Sequence, residues 1–560
     1  MLPCQEHLAQ IKISHRTGPF LGSSELELAN SPIRVEILAQ WLKDYPIIAD
    51  ADLLLKGFTF GFRIPYHGSR CGRISKNHHS ASTMPDLILR KLEEEIRLGR
   101  VAGPFPEPPL QNLTVSPIGL VPKSVPGEFR LIFDLSFPEG NSVNSGIHPD
   151  DATVSYTRFD EITRLVRQEG PGSFLIKVDI KSAFRLLPIH PEDFDLLGMY
   201  YQGQFFIDKC LPFGLSVSCA LFEKFSTFLE WCLNKVTGSE KFIHYLDDFS
   251  ACSRTEHGAQ VMLDSTLALF AELGVPVAEE KVEGPATCIK FLGLVVDTVK
   301  MMVQIPDDKL HDLKNIITHL LQKQGKKITL RELKSLIGKL NFACRAVVPG
   351  RAFCRRLIDA TCGVRKPYHR IRVTEAMVAD LLVWQIFLDK FNGASMIIDL
   401  QNEHHLDLFT DAAGGTGFGA YFDGHWVAGA WPEPLQVGPL DITFMELFPI
   451  VLSLYLWGHL FSNKKVFFHC DNEAVVTIVN KQSTRSPQSM HLVRHLVSIC
   501  LSRNIVFKAV HVPGLQNCIA DALSRFQFNK FRSLAPQADQ DPTLIQPLLW
   551  QELMGKFVDC

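Results

Sequence analysis

The sequence lacks the patterns that mark secreted, membrane-spanning or zinc-binding proteins. Its fourteen cysteines include no CxxC pair, no cysteine–histidine spacing typical of zinc sites and no regular period. Residues 1–7 lack the charged and then apolar pattern of a signal peptide. The longest apolar run, Met445–Phe461, contains Glu446 and Pro449 and is short for a bilayer, so a buried helix is expected. These absences predict an intracellular protein, cytoplasmic or nuclear, without a membrane partner.

Net charge is also low, at −3 over 560 residues, but its distribution is uneven. Between Lys309 and Arg372 there are 16 lysines and arginines and 3 acids, a local charge of +13. The block has helical periodicity, as in Arg331–Lys339. Such a steep imbalance favours a helical surface that follows a nucleic-acid backbone over an ordinary solvated face. The length and a hydrophobic content of 46% predict three to four domains with ample core.

Two adjacent carboxylates in the string YLDD, residues 245–248, stand between the apolar segments 242–244 and 249–252. This pattern predicts a β-hairpin with acids at its tip. A third acid, Asp179, lies near the end of a predicted buried strand, Ser173–Ile180. Three such acids together form a two-metal site for displacement at phosphorus, and Mg²⁺ prefers carboxylate oxygens. Singly, a strand-terminal Asp is more often a cap or turn residue.

Four further acids accompany predicted regular elements. Asp411 ends the alternating strand His405–Asp411, Glu446 starts an apolar helix, Asp471 ends the strand Phe467–Asp471, and Asp521 lies in the string Ala520–Ser524. Gaps of 35, 25 and 50 residues separate them. They converge only if these elements form one sheet with flanking helices.

The order of these motifs resembles that of retroelement reverse transcriptases of the LTR or tyrosine-recombinase type. The motifs are Lys123…Arg130, Val178-Asp179, LPFG at 211–214, YLDD at 245–248 and FLG at 291–293. Finer strings resemble the DIRS-like group: Gly57–Phe62, Ser116–Lys123, Phe129–Ser136 and Asn141–Asn144. The resemblance implies an α+β multidomain fold, with a right-hand polymerase of fingers, palm and thumb followed by an α/β ribonuclease H-like domain.

The same resemblance assigns roles to single residues. Asp179, Asp247 and Asp248, helped by the Ile180 carbonyl, would be catalytic and would hold two Mg²⁺ ions, with Mn²⁺ as a substitute. The implied substrate-binding residues are Lys123 and Arg130 on the triphosphate, Phe184 as a steric gate against the ribose 2′-hydroxyl, Phe213, Gly214 and Tyr245, and Lys281 as the proton donor to pyrophosphate. Without the family, Phe184 is a core aromatic and the cations belong to the surface. Ser182 stands where many relatives carry a second acid.

The acids Asp411, Glu446, Asp471 and Asp521 are similar in order and spacing to those of ribonuclease H. This similarity implies that all four are catalytic and hold two further Mg²⁺ ions. His511, ten residues before Asp521 in a Pro/Gly loop, matches the mobile catalytic histidine of that family, with Asn517 as a nearby helper.

The predicted organisation has six parts. The first three are an N-terminal extension at 1–84 that ends in a polar linker (Ser75–Thr83), fingers and palm at 85–300 opened by an amphipathic helix (Pro85–Gly99), and a basic helical thumb at 301–372. The other three are a connection at 373–400 with a helix over Met377–Phe391, a ribonuclease H domain at 401–528, and a tail at 529–560 that is expected to be loosely ordered from Ala535.

Together these patterns predict an RNA- and DNA-directed DNA polymerase with ribonuclease H activity, copying retrotransposon RNA. Expected partners are RNA and DNA template–primer, RNA–DNA hybrid, deoxynucleoside triphosphates and other proteins of the same element. No protease motif, zinc knuckle or integrase is recognisable. The alternative is a retired element protein that binds nucleic acid without chemistry, and loss of any one of the seven acids would have favoured it.

Overall fold

The computed structural model describes residues 26–122, 127–390, 393–397, 405–431, 441–462, 464–503 and 505–554. They form two compact units, unit 1 within residues 1–162 and 175–286 and unit 2 within 163–174 and 287–560. Each unit combines helices with more than one sheet, so the predicted α+β multidomain class is confirmed. The boundaries of the six predicted parts stay predictions.

Unit 1 contains three sheets and the helices that cover them. Its strands are β1 Arg73–Ile74, β2 Val101–Phe105, β3 Thr114–Val115, β4 Ile118–Pro122, β5 Phe129–Phe133, β6 Phe174–Asp179, β7 Gly198–Tyr201, β8 Gln204–Asp208, β9 Phe242–Tyr245, β10 Asp248–Ser253 and β11 Glu283–Ala286. Its helices are α1 Val35–Leu42, α2 Ile48–Phe60, α3 His79–Thr83, α4 Pro85–Arg97, α5 Phe159–Glu169 (which ends in unit 2), α6 Ser218–Thr237 and α7 Glu256–Leu273. The sheets have the orders β1-β3-β7-β8-β2, β11-β6-β10-β9 and β4-β5.

The sheet β11-β6-β10-β9 positions the first group of acids. Strand β6 is buried along most of its length, as the apolar run of the sequence predicted. Helix α6 supplies a row of buried aromatic rings, Phe222, Phe225 and Phe228. Burial of such rings stabilises a core strongly, because each aromatic side chain removes roughly 150–250 Å² of surface from water. This core fixes the strands whose ends carry the acids.

The segment predicted as a polar linker is part of the fold, so that prediction was wrong. Its end forms helix α3, and its polar side chains bind the backbone of strand β4. Asn77 Oδ1 accepts from Ile118 N at 3.0 Å, and Ser80 Oγ accepts from Leu120 N at 2.9 Å. Polar residues here accept hydrogen bonds from the backbone of the strand. A polar composition alone does not show whether a segment makes such bonds or is a linker. The predicted helix after it is confirmed as α4.

Unit 2 begins with a small sheet and a helical region. Its strands are β12 Cys288–Phe291, β13 Leu294–Asp297, β14 Met302–Gln304, β15 Lys327–Thr329, β16 Arg370–Arg372, β17 Ala394–Met396, β18 His405–Ala413, β19 Gly417–Phe422, β20 His425–Ala430, β21 Lys465–Cys470 and β22 Val506–His511. Its helices are α8 Asp307–Leu321, α9 Leu330–Ala343, α10 Arg355–Asp359, α11 Glu375–Lys390, α12 Ile442–Trp457, α13 Glu473–Lys481, α14 Pro487–Ser502, α15 Cys518–Ser524, α16 Phe528–Leu534 and α17 Pro547–Met554.

The basic block, residues 309–372, is mainly helical, as predicted, and also contains the paired short strands β15 and β16. Helix α9 starts with a capping box in which Thr329 Oγ1 accepts from Glu332 N and the Glu332 carboxylate accepts from Thr329 N. Its apolar positions Leu333, Leu336 and Leu340 are buried, which leaves Lys334 and other cations on the opposite face. The helix in the predicted connection is confirmed as α11.

A five-stranded mixed sheet positions the second group of acids. Its order is β20-β19-β18-β21-β22, with β18 antiparallel to β19 and parallel to β21. Helix α12 packs on it and is buried over most of its length, as predicted for the apolar run. Among the described residues, no helix is both long and apolar enough to cross a bilayer.

The tail is ordered over the part that the structure describes, so the prediction of a loose tail was wrong there. Its backbone continues along the edge strand β20: Asp539 N donates to Gly424 O and Thr543 N donates to Trp426 O. Trp426 Nε1 donates to Asp539 O at 2.7 Å, and Ala535 and Ala538 are buried. The edge strand β20 has backbone groups that no neighbouring strand pairs, and the tail covers part of this edge. The polar composition of the tail did not reveal this contact.

Candidate active sites

The turn between β9 and β10 carries the paired acids of unit 1. Tyr245 pairs with Asp248 across the hairpin, and Leu246 lies between them with φ 53°. Such a left-handed non-glycine residue is strained by roughly 1–3 kcal/mol and is typical of functional turns. Asp179 ends the neighbouring strand β6, so the predicted hairpin and strand are both confirmed.

The carboxylates of unit 1 share one small region with two lysines. Burial raises the pKa of Asp248 to about 6; Lys177, 3.7 Å from its Oδ1, opposes the rise, and the charges of Asp247 and Asp179 add to it. Burial also raises the pKa of Asp247. Lys281 Nζ lies 2.8 Å from Asp179 Oδ1, and this hydrogen bond raises the pKa of Lys281. The structure therefore brings together the three acids and the lysine that the sequence singled out.

The donor set of unit 1 fits a hard divalent cation. Asp248 Oδ1 is buried without a hydrogen-bond partner among the described residues. The Ile180 N–H donates to the Asp247 carbonyl at 3.0 Å, and the bridge between Ile180 and Val277 uses the Asp179 carbonyl and the Lys181 N–H. The Ile180 carbonyl is thus not used in that bridge. Buried oxygens crowded with like charge are the environment that Mg²⁺ neutralises.

Four of the predicted substrate-binding residues lie close to one another. The Phe184 ring lies 5.0 Å from the Phe213 ring and 5.4 Å from Phe222, and the Arg130 guanidinium lies 5.5 Å from the Phe213 ring centre. Gly214 has φ 109°, and a Cβ there would lie 2.4 Å from the Phe133 carbonyl oxygen, so only glycine fits. Arg130, Phe184, Phe213 and Gly214 are therefore neighbours, as a shared substrate pocket requires.

Two other predicted substrate residues have different outcomes. Tyr245 stacks near Tyr156, with 5.1 Å between ring centres. Lys123 lies outside the described residues.

Two residues of unit 1 were given no role by the sequence. Asn144 donates from Nδ2 to the Gly214 carbonyl at 2.8 Å and accepts from Ser216 N at 2.9 Å, so it holds the glycine turn. His244 lies between Glu230 at 2.5 Å and Glu223 at 3.3 Å; burial opposes its protonation, but the two carboxylates raise its pKa to about 9. Asn144 stood in a recognised string, whereas nothing local to His244 indicated partners on helix α6.

The four acids of unit 2 also converge. Asp411 lies within strand β18, opposite Gly419, and Glu446 lies in the second turn of α12. Asp471 directly follows β21, and Asp521 lies on α15. Two details differ from the predictions: β18 continues past Asp411 to Ala413, and α12 begins at Ile442 with Asp441 as its cap, so Glu446 does not start it.

Burial dominates the electrostatics of this second group. It raises the pKa of Glu446 to about 9 and that of Asp411 to about 6, with repulsion from neighbouring acids as a further cause, although Ser524 Oγ donates to Asp411. Partial burial of Asp521 is outweighed by Arg525 at 2.5 Å and Lys530 at 3.4 Å, which lower its pKa. Buried like charges of this kind fit a divalent cation, and Asp411, Glu446 and Asp471 are the residues placed to hold it.

The predicted histidine lies at the edge of this group. His511 is exposed and is the last residue of β22, paired with Cys470, so its placement in a loop was wrong by one residue. Asn517 is buried and donates from Nδ2 to the Thr410 carbonyl at 2.9 Å, one residue from Asp411. Asn517 thus holds strand β18 beside Asp411, and its role as a helper of His511 stays a prediction.

Known proteins similar to this chain agree with the first group of acids. Residues 121–296 match the family described as "Reverse transcriptase (RNA-dependent DNA polymerase)". The polyproteins of transposons Tf2-3 and Tf2-4 from Schizosaccharomyces pombe are each 22% identical over 469 residues, 79% of this chain. The chain spans 31% of the length of these relatives.

Solved structures of foamy viral protease-reverse transcriptase are also similar. One in complex with double-stranded DNA has 15% identity and a TM-score of 0.48, covering 89% of this chain and 84% of that chain. One in complex with an RNA/DNA hybrid has 15% identity and a TM-score of 0.49, covering 86% and 63%. With the family match over residues 121–296, the chain contains a reverse transcriptase domain and is similar to retrotransposon polyproteins.

Proposed function

We propose that the protein is an RNA- and DNA-directed DNA polymerase that also degrades the RNA strand of RNA–DNA hybrids. The observation that carries the polymerase is the convergence of Asp179, Asp247 and Asp248 at adjacent strand ends within the reverse transcriptase domain. The nuclease is supported by the second convergence, on the mixed sheet of unit 2. Two Mg²⁺ ions at each group, or Mn²⁺, would activate the attacking oxygen and stabilise the leaving one.

In synthesis, each residue of the first pocket has a separate task. Arg130 is exposed, and its planar guanidinium can bind triphosphate oxygens while the Phe213 ring holds it in place. Phe184 presents a ring supported by Phe213 and Phe222, which excludes a ribose 2′-hydroxyl. Lys281 holds a proton at Nζ beside Asp179 and can deliver it to the departing pyrophosphate. Lys123 would add a second cation to the triphosphate.

In hybrid cleavage, Asp411, Glu446, Asp471 and Asp521 would hold the divalent ions, which would supply the positive charge that orients the scissile phosphate. His511 is exposed, and histidine is the side chain most often used to transfer protons at neutral pH. Its exposed position at the end of β22 suits a proton shuttle rather than a metal ligand.

The basic block is proposed to bind the phosphate backbone of template–primer. Lys334 and Arg345 are exposed, whereas Lys339 forms an ion pair with Asp312. Replacing all three by Ala should flatten the dependence of log affinity on log salt by up to about three contacts' worth. Lys334→Ala alone should lower the slope more than Lys339→Ala alone. An unchanged slope in the triple variant would contradict the proposal.

The decisive experiment is primer extension on poly(rA)/oligo(dT) with Mg²⁺, run beside cleavage of a labelled RNA–DNA hybrid. We expect both activities in the full chain, with Asp247→Asn as the inactive control for synthesis. The alternative, a retired element protein, predicts binding of the same substrates without either reaction. The finer assignment to the DIRS-like group is also a proposal, supported by the strings at 57–62, 116–123, 129–136 and 141–144.

A further inference from the structure

A cysteine lies among the acids of unit 2. Cys470 is the last residue of β21, its side chain is buried, and its Sγ lies 3.9 Å from Glu446 Oε2. Glu446, Cys470 and Asp471 each offer one ligand atom, and these three atoms lie within 4.8 Å of one another. Among the described residues, no other group of three or more His, Cys, Asp or Glu side chains has its ligand atoms within this distance of one another.

The sulfur is held in position by the backbone that follows it. Asn472 N donates to Cys470 Sγ at 3.5 Å, while the Asn472 side chain caps helix α13 through Ala474 N and Val475 N. The sulfur therefore has a fixed place beside the Glu446 carboxylate, and cysteine sulfur is a ligand that zinc accepts. Asp471 is only half-buried, so the group is open to solvent on one side.

We propose that Glu446, Cys470 and Asp471 form a Zn²⁺ site that blocks hybrid cleavage. Zinc binds cysteine sulfur and carboxylate oxygen together, commonly through three protein ligands and one water, whereas Mg²⁺ selects oxygen alone. On binding, the S–H bond breaks, its proton passes to solvent, and the sulfur lone pair forms the Zn–S bond, with no change of oxidation state.

The inhibition follows from shared ligands and rests on the proposed nuclease function. Glu446 and Asp471 belong to the set proposed to hold Mg²⁺ with Asp411. A zinc ion drawn toward the buried sulfur occupies both carboxylates and takes them away from Asp411. The corresponding group of unit 1 contains Asp179, Asp247 and Asp248 and no sulfur within a comparable cluster of described residues. Hybrid cleavage should therefore be more sensitive to zinc than DNA synthesis.

The first test measures both activities of the full chain in saturating Mg²⁺ while Zn²⁺ is added. Cleavage should stop at zinc concentrations at which synthesis continues. Cys470→Ser should raise the half-inhibitory Zn²⁺ concentration by at least the roughly 10–100-fold typical of losing a residue that supports a metal ligand. Cys500→Ser, at a buried cysteine of α14 outside the group, is the matched control and should stay sensitive. Equal sensitivity of Cys470→Ser and the parent protein would overturn the proposal.

A second measurement does not depend on cleavage. Co²⁺, added as a spectroscopic substitute for zinc, should give a thiolate-to-cobalt absorption band in the parent and in Cys500→Ser, and the band should be absent from Cys470→Ser. Cys470→Ala, a second variant, must lose the band as well, and its Mg²⁺-dependent activities show whether it is folded. If the parent cleaves no hybrid, the nuclease proposal fails while the band still decides the metal site. No band in the parent would overturn that site.

Discussion

The two groups of acids differ in the cations beside them. In unit 1, Lys281 contacts Asp179 and Lys177 approaches Asp248, so the crowded carboxylates have local counter-charges. In unit 2, the cations Arg525 and Lys530 contact Asp521, which is only partly buried, while Glu446 is buried among acids. Burial is the largest cause of the raised pKa of both Asp248, about 6, and Glu446, about 9; Lys177 opposes the rise at Asp248, whereas the charges of Asp411 and Asp471 add to the rise at Glu446. The carboxylates of unit 2 therefore need a bound cation to relieve their repulsion more than those of unit 1 do.

The largest expected effect separates the two groups by substitution. The double variant Asp247→Asn, Asp248→Asn removes two carboxylate charges at constant volume, so DNA synthesis should fall by several orders of magnitude while hybrid cleavage persists. Asp411→Asn should do the reverse. Both activities are measured on each preparation. Retained synthesis in the double variant, or joint loss of both activities in either folded variant, would contradict two independent sites.

A smaller effect is expected from the histidine of unit 2. His511→Ala should slow hybrid cleavage by roughly the 10²–10⁴-fold typical of general acid–base assistance, without changing the Mg²⁺ dependence. Asp411→Asn, the comparison variant, should lose cleavage altogether. Cleavage rates are measured against Mg²⁺ concentration for both. A normal rate in His511→Ala, or rescue by more Mg²⁺, would show that proton transfer is not its role.

Unit 1 offers a test of substrate choice rather than rate. Phe184→Val removes the ring supported by Phe213, so ribonucleotide incorporation should rise by roughly tenfold or more while deoxynucleotide use falls only modestly. Phe184→Tyr keeps the ring and should keep the discrimination. Incorporation of both nucleotide types is measured on one template. Unchanged ribonucleotide use in a folded Phe184→Val protein would place the gate at another residue.

These sites could be predicted because their acids stand at positions where sequence patterns are strong. Asp179 and Asp248 lie at the ends of short apolar strands and Asp471 directly follows one, and period and turn position mark such ends well. The helix around Glu446 was equally clear from its apolar run, but its start was not, because the N-cap Asp441 lies five residues before Glu446.

The parts that were not predicted depend on distant partners. His244 gains its charge from Glu223 and Glu230 on another element, and Cys470 becomes a candidate ligand only because α12 brings Glu446 to it. The polar segment before α4 folds because strand β4 offers it backbone groups. Local composition carries none of this information, since each contact joins segments far apart in the chain.

The smallest effect tests the electrostatic difference itself, in protein freed of metal by EDTA. The folded-state pKa of Glu446, about 9, lies above its ordinary value, so its stabilising contribution is complete at low pH and is lost as pH rises through about 9. The thermal midpoint of unit 2 should therefore fall from about pH 4.5 to about pH 9, starting near the unperturbed glutamate value. Glu446→Gln keeps a neutral side chain and should flatten this fall, and Mg²⁺ should restore the midpoint at high pH because it binds only the folded state.

Asp248→Asn is the matched control for that experiment. The folded pKa of Asp248 is about 6, so its contribution is already lost above that pH. The control should change the pH dependence of the unit 1 midpoint only below about pH 6, whereas Glu446→Gln should change that of the unit 2 midpoint up to about pH 9. Midpoints are measured by calorimetry at several pH values with and without Mg²⁺. If the parent and Glu446→Gln fall in parallel between these pH values, Glu446 is already ionised there, and the contrast in counter-charge between the two groups of acids is wrong.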